Sequence, residues 1–270
     1  MIDGVVEGAT AFLKKPYCAE ELGEGYNAKP DWTLSELTDS FRQLNENGFQ
    51  THSHCIGDAA TDICLTALER ANIALIKGNR NVLTHLQVVD KPDIKRMAKQ
   101  GLIACLQPFW FLKEPGWFYE VDVHYLGNDR ANNIYPAKTF LKNGIPITAS
   151  GDYPVSPSND PFFGIQAAVT RNIYSEELFG VRINSPDDNR YLLGKNERLT
   201  IKEIIEAYTI NGARQLFRED EIGSLAAGKE ADFIIIDKDP FIQRAIDLNK
   251  IKVIATYMSG KNVLEKRRKM

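Results

Sequence analysis

Short apolar runs alternate along most of the chain with longer segments in which apolar residues recur every three or four positions. Asp31-Trp32-Thr33-Leu34-Ser35-Glu36-Leu37 opens the first such segment, with Thr33 and Glu36 spaced as a capping box. Leu34, Leu37, Phe41 and Leu44 hold a helical period until Gly48 stops it. Phe49 to Cys55 reads as a strand, and Asp58 as the cap of a helix in which Ile63, Cys64, Ala67 and Leu68 share a face. Val82 to His85 is a second short strand. A helix then opens at Lys91-Pro92-Asp93, and Leu102 to Leu106 is a third strand. Tyr135-Pro136 opens a helix to Asn143-Gly144, and Ile145 to Ser150 is a fourth strand. Phe162 to Arg171 and Ile201 to Phe217 read as helices, whereas residues 1–32, rich in Gly, Pro and Tyr, read mostly as loop.

Strands that alternate with helices imply βα units and a parallel sheet. Four such units are legible, fewer than the eight of a closed β/α barrel, which takes about 250 residues. The chain changes character after about residue 219. Ala231 to Asp237 is a strand, and Ile251 to Met258 and Lys261 to Leu264, joined by Ser259-Gly260, read as a hairpin. The expected organisation is a barrel portion over 1–219 and strands of a small flanking β-structure over 220–270.

Composition narrows the class. Hydrophobic residues at 43% and charged residues at 26% are those of an ordinary soluble globular protein. A net charge of -3 gives no general attraction to nucleic acid or an anionic membrane, and neither is expected as a partner. The basic run Lys266-Arg267-Arg268-Lys269 reads as a solvated, frayed tail. No apolar stretch approaches the roughly 18 residues that span a bilayer. Cys18, Cys55, Cys64 and Cys105 lack a paired spacing, and the N-terminus lacks a secretory apolar region. Reduced thiols and a cytoplasmic location are therefore expected.

Candidate chemistry lies at the strand ends. His54 and His85 close two successive strands and Asp152 closes a later one, which is how a parallel β/α barrel presents metal ligands. A catalytic Zn²⁺ typically takes three protein ligands, lowers the pKa of a bound water to about 7, and works beside a carboxylate that moves the proton. Asp152, ending an apolar strand, would have its ionisation set by desolvation and by the metal. For each histidine the competing reading is a hydrogen-bonded structural residue. His52 shares a strand face with His54. It is either a second donor or a residue one layer deeper that hydrogen-bonds. Gln107-Pro108 ends the third strand. Phe109, Trp110, Phe111, Trp117, Phe118 and Tyr119 follow it, and either line an apolar substrate pocket or pack a lid or subunit contact. His124 lies in an aromatic, irregular stretch and reads as a loop or substrate-side residue.

These residues fall into an ordered set of motifs. They are His54-Cys55-Ile56-Gly57-Asp58-Ala59-Ala60, Thr84-His85-Leu86-Gln87, Leu126-Gly127-Asn128-Asp129-Arg130-Ala131, and Ser150-Gly151-Asp152-Tyr153-Pro154-Val155. Thr209-Ile210-Asn211-Gly212-Ala213 and Gly223 to Asp232 complete it. In this order they resemble the amidohydrolase superfamily, specifically the amidohydrolase-3 group with its YtcJ-like proteins and N-substituted formamide deformylases. The resemblance implies a metal-dependent hydrolase of TIM-like β/α barrel fold with a β-sandwich built from both chain ends. It implies His54 and His85 as metal ligands and Asp152 as both ligand and general base, acting on a C–N bond of an amide, formamide, urea or cyclic amide. Zn is the expected ion, with Fe or Mn as alternatives. His52, Gln107, Trp110, His124 and Arg130 are candidate contacts to a small amide-type substrate.

The chain departs from the group's pattern: Ser150-Gly151 exchanges the first two residues of the group's G-S-D-x-P-V motif, and two departures are larger. The H-x-H pair of strand one is absent, and the group's lysine, about four residues before Asp3-Gly4 in its pattern, would fall just off the N-terminus. The expectation is therefore the C-terminal portion of a longer enzyme, lacking roughly half the barrel. Open strand edges and an open apolar interior would favour self-association or assembly with a missing N-terminal half. The alternative function is a catalytically inactive, truncated or regulatory amidohydrolase-like protein.

Overall fold

The computed structural model describes residues 1–71 and 78–265. The basic run at 266–269 lies outside the described residues. The chain forms two compact units, one of residues 1–106 and 113–147, the other of residues 107–112 and 148–270.

In the first unit α1 (Leu34–Glu46) begins at the expected capping box, with Thr33 and Glu36 each bonded to the other's backbone. The helix buries Leu37, Thr38, Phe41 and Asn45, while Leu44, expected on this face, is exposed. Asn45 can occupy a buried position because its carboxamide oxygen accepts from Asn81 at 2.7 Å and from Asn79 at 2.9 Å.

The strands β1 (His52–Cys55), β2 (Val82–His85) and β3 (Ile103–Leu106) lie side by side and parallel. Next in the sheet order is β4 (Ile147–Ala149), whose first residue ends this unit. β3 is buried at all four positions, as expected of a strand covered on both faces. Helix α2 (Asp58–Arg70) buries Cys64, Leu65, Ala67 and Leu68. Full burial of a leucine contributes about 1.5–3 kcal/mol. Asp58 is the first residue of this helix rather than its cap. Its carboxylate instead accepts the Lys14 N–H at 2.8 Å and ties the N-terminal segment down. Helix α3 (Lys91–Lys99) precedes β3. A π-helical segment, Phe118–Val123, runs directly into α4 (His124–Ala131), so the stretch expected to be irregular is helical, with a break at Gly127. Helix α5 (Ala137–Lys142) leads to β4.

The second unit packs Phe109, Leu112, Ala167, Ile173, Tyr174 and Ile183 into one apolar cluster around α6 (Pro161–Thr170). Arg171 ends α6 in a left-handed conformation. Its buried guanidinium lies 4.8 Å from the Phe111 ring centre, and its Nε donates to Leu193 O at 2.7 Å. The helix expected over Ile201–Phe217 is two, Ile201–Tyr208 and Ile210–Gln215, divided where Thr209 leaves helical geometry. A separate antiparallel sheet, ordered β5 (Phe233–Ile236), β6 (Val253–Met258), β7 (Lys261–Glu265), matches the expected terminal β-structure. Phe233 and Tyr257 sit opposite one another with rings stacked at 4.5 Å. Ser259-Gly260 turns the hairpin with both φ angles positive.

Candidate functional site

His54 and His85 are brought together because β1 and β2 pair in parallel with His54 opposite Thr84 and Cys55 opposite His85. The two imidazoles meet edge to face with ring centres 4.6 Å apart. β2 ends at His85, and β1 ends one residue past His54. After β2, His85 and Leu86 both adopt left-handed backbone, with φ of 72° and 53°. Leu86 N donates to Cys55 O at 2.8 Å and Val88 N to Ile56 O at 2.9 Å, which fastens this turn to the end of β1.

The end of β1 is closed by Asp3. Its carboxylate is buried and accepts three backbone N–H groups: Ile56 at 3.0 Å, Gly57 at 2.9 Å and Phe12 at 2.9 Å. The same carboxylate lies 3.4 Å from His54 Nδ1, which is buried and makes no hydrogen bond. A carboxylate beside the inner nitrogen fixes ring orientation in metal-binding histidines. Gly57 allows this closure by lacking a side chain, since a Cβ there would collide with the Phe12 carbonyl. Its φ is an ordinary -85°. The glycine answers a close approach rather than a special turn.

Behind His85, Gln87 is buried and its Nε2 donates to Asp122 Oδ1 at 3.0 Å. Burial, with the carboxylates of Glu7 and Glu114 nearby, pushes the Asp122 carboxyl up to about 7.

Two imidazole nitrogens are donors of the kind a divalent cation takes. Among the described residues, however, no group of three or more His, Cys, Asp or Glu is gathered to hold a metal. The pair therefore fits part of a ligand set. His52, at the other end of β1, is exposed. Asp152 lies in the second unit, in a turn past β4. It is exposed rather than desolvated, and its carbonyl accepts Val155 N at 2.9 Å. Gln107, in that same unit, donates to Ser150 Oγ at 2.9 Å.

The aromatic stretch is divided between the units. In the second, Phe109 is core and Trp110 packs against it. In the first, Phe118 is buried whereas Trp117 and Tyr119 are exposed. His124 Nε2 meets Glu21 Oε1 at 2.5 Å, and this bond lowers the Glu21 carboxyl pKa. Arg130 donates to the carbonyls of Leu126, Lys15 and Pro16 at 2.6, 2.9 and 2.7 Å, clamping the N-terminal segment.

Sequence reasoning did not single out Asp3, Gln87 or Asp122 as site residues. Asp3 and Gln87 sit within recognised motifs, which was the available signal. Asp122 carries none, because its burial follows from the π-helical turn.

The amidohydrolase family model matches residues 1–264. The YtcJ protein of Bacillus subtilis (strain 168) is 32% identical over 264 residues, covering 98% of this chain and 46% of its own length. The N-substituted formamide deformylase of Arthrobacter pascens is 26% identical, covering 90% of this chain and 41% of its own. A metal-dependent hydrolase of Pyrococcus furiosus superposes with a TM-score of 0.70 at 25% identity, covering 89% of this chain and 44% of that one. The chain thus spans less than half the length of each. A family match over nearly the whole chain, on a parallel sheet that sets two histidines side by side at adjacent strand ends, shows that the protein belongs to the amidohydrolase family.

Proposed function

We propose that this chain is the C-terminal part of a metal-dependent hydrolase that cleaves a C–N bond of an amide, formamide, urea or cyclic amide. The observation that carries the proposal is the His54–His85 pair, 4.6 Å apart at adjacent parallel strand ends. His54 and His85 would hold a divalent ion, with zinc the best match to imidazole and carboxylate donors. Such an ion lowers the pKa of water toward neutrality and polarises the substrate carbonyl. The Asp3 carboxylate lies beside the inner nitrogen of His54. The Asp152 carboxylate takes the proton of the attacking water and returns it to the departing amine nitrogen, so that amide and water become acid and amine. The terminal strands from residue 220 would belong to a flanking sandwich. The substrate class is supported by the deformylase among the relatives.

Metal content of the purified chain, followed by a screen of formamides, ureas and cyclic amides, tests this reading. About one zinc per chain, lost in the His54→Ala/His85→Ala double variant, and turnover abolished by Asp152→Asn are expected. Turnover that survives Asp152→Asn undiminished refutes the role given to that residue.

A second reading, a regulatory protein without hydrolytic activity, is favoured by the two-imidazole donor set of the first unit, where a catalytic zinc usually has three protein ligands. Hydrolysis by the purified chain rules it out.

A further inference from the structure

We infer that Asp122 is a positioning residue. Through the amide of Gln87 it holds the left-handed His85-Leu86 turn, and so fixes the direction of the His85 imidazole. This rests on His85 being a functional ligand, as proposed above. It adds a residue from outside the strand ends, on a segment that no motif of the site includes.

Four observations converge on it. Two consecutive non-glycine residues in left-handed backbone, His85 and Leu86, are strained and persist where surroundings hold them. The end of β1 supplies two backbone bonds, to Leu86 N and Val88 N. Those bonds fix the turn's near side. Its far side is held through Gln87, whose carbonyl accepts Tyr135 N at 2.9 Å and whose buried carboxamide donates to Asp122 at 3.0 Å. Finally, Asp122 sits in a π-helical segment, a rare geometry that recurs where a helix is adapted to function.

The placement of Asp122 is expensive. Its carboxyl is buried and faces the acidic side chains of Glu7 and Glu114, with the Gln87 amide as its hydrogen-bonding partner. A core position filled only for packing would be served better by leucine, which is nearly isosteric and carries no desolvation penalty. What leucine cannot do is accept the Gln87 N–H. That bond, and hence the set of the turn, is the function the acid retains.

The test is native-state amide exchange on the chain and its Asp122→Leu and Asp122→Asn variants, with zinc affinity measured by competition with a chromogenic chelator. In Asp122→Leu, exchange at Leu86 and Val88 should quicken about ten-fold or more, while the Ala104 and Cys105 amides of β3 stay unchanged. Zinc affinity should fall about 10- to 100-fold. Asp122→Asn keeps an acceptor oxygen and should restore both. Gln87→Leu, which removes the same bond from the other side, should reproduce the Asp122→Leu pattern. Unchanged exchange at the turn overturns the inference. So does a uniform rise that includes β3, which would mark a merely structural residue, and so does failure of Asn to rescue. Exchange needs no metal, so a chain that binds no zinc would defeat the proposed function and still decide the role of Asp122.

Discussion

The strand ends of the first unit and the turn after β4 in the second carry the same kind of candidate residue in opposite settings. His54 sits beside a buried carboxylate that closes three N–H groups drawn from two distant segments. Asp152 stands in an exposed turn, held through its own backbone carbonyl. The sheets of the two units differ in the same way. β3 of the first is buried throughout, whereas Ile234, Ile235, Val263 and Leu264 of the terminal sheet are exposed. The difference locates pre-organisation. In the first unit the site geometry is enforced by long-range bonds to the carboxylate itself, and in the second the candidate acid's own hydrogen bonds are those of its local turn.

Breaking the first setting should have the largest effect. Asp3→Ala leaves three buried N–H groups without an acceptor, at about 1–3 kcal/mol each. A loss of about 5 kcal/mol is therefore expected, a large part of a typical domain's stability, visible as a collapse of the urea midpoint. Gly57→Ala should follow at about 3 kcal/mol, because its Cβ meets the Phe12 carbonyl and the two segments must part. If Gly57→Ala is neutral, the close approach of residues 12 and 57 is not what the glycine serves.

These two sites also mark what the sequence could and could not disclose. The βα alternation, the position of both histidines near strand ends and the terminal hairpin were legible, because period, caps and turn residues are local signals. The capping box at Thr33 and Glu36 formed as spaced. Leu44 and Asn45 exchanged roles because burial of an asparagine depends on partners more than 30 residues away, Asn79 and Asn81. Thr209 breaks a helix whose apolar period runs on without interruption. Asp3 is bonded to Ile56 and Gly57, some 50 residues downstream, and no window of sequence contains that relation.

A smaller effect, confined to a range of pH, is expected at Asp122. Its carboxyl is raised from 3.8 to about 7 by burial and by Glu7 and Glu114. Between about pH 4 and pH 7 the folded chain keeps a proton that the unfolded chain has released. This contribution to stability therefore falls as pH rises through that window and levels off above it. Asp122→Asn cannot ionise. It should match the parent near pH 4 and be the more stable of the two at pH 8. Urea unfolding at the two pH values measures the difference. Parallel pH profiles for the two proteins would show that Asp122 stays ionised in the fold.

The smallest effect on stability should come from the second setting, and it is the most discriminating. Asp152 is exposed, and its hydrogen bonds to Val155 and Ser156 run through the backbone carbonyl, which Asp152→Asn leaves in place. Its φ of 52° lies in the left-handed region that aspartate and asparagine both tolerate. Substitution should therefore shift stability by no more than about 0.5 kcal/mol. A carboxylate that costs nothing to remove from the fold has no structural reason to sit in that conformation. If the urea midpoint is unchanged while hydrolysis is lost, the acid acts on substrate chemistry alone. If stability falls by 2 kcal/mol or more, the carboxylate is a structural tie, and the two settings are alike after all.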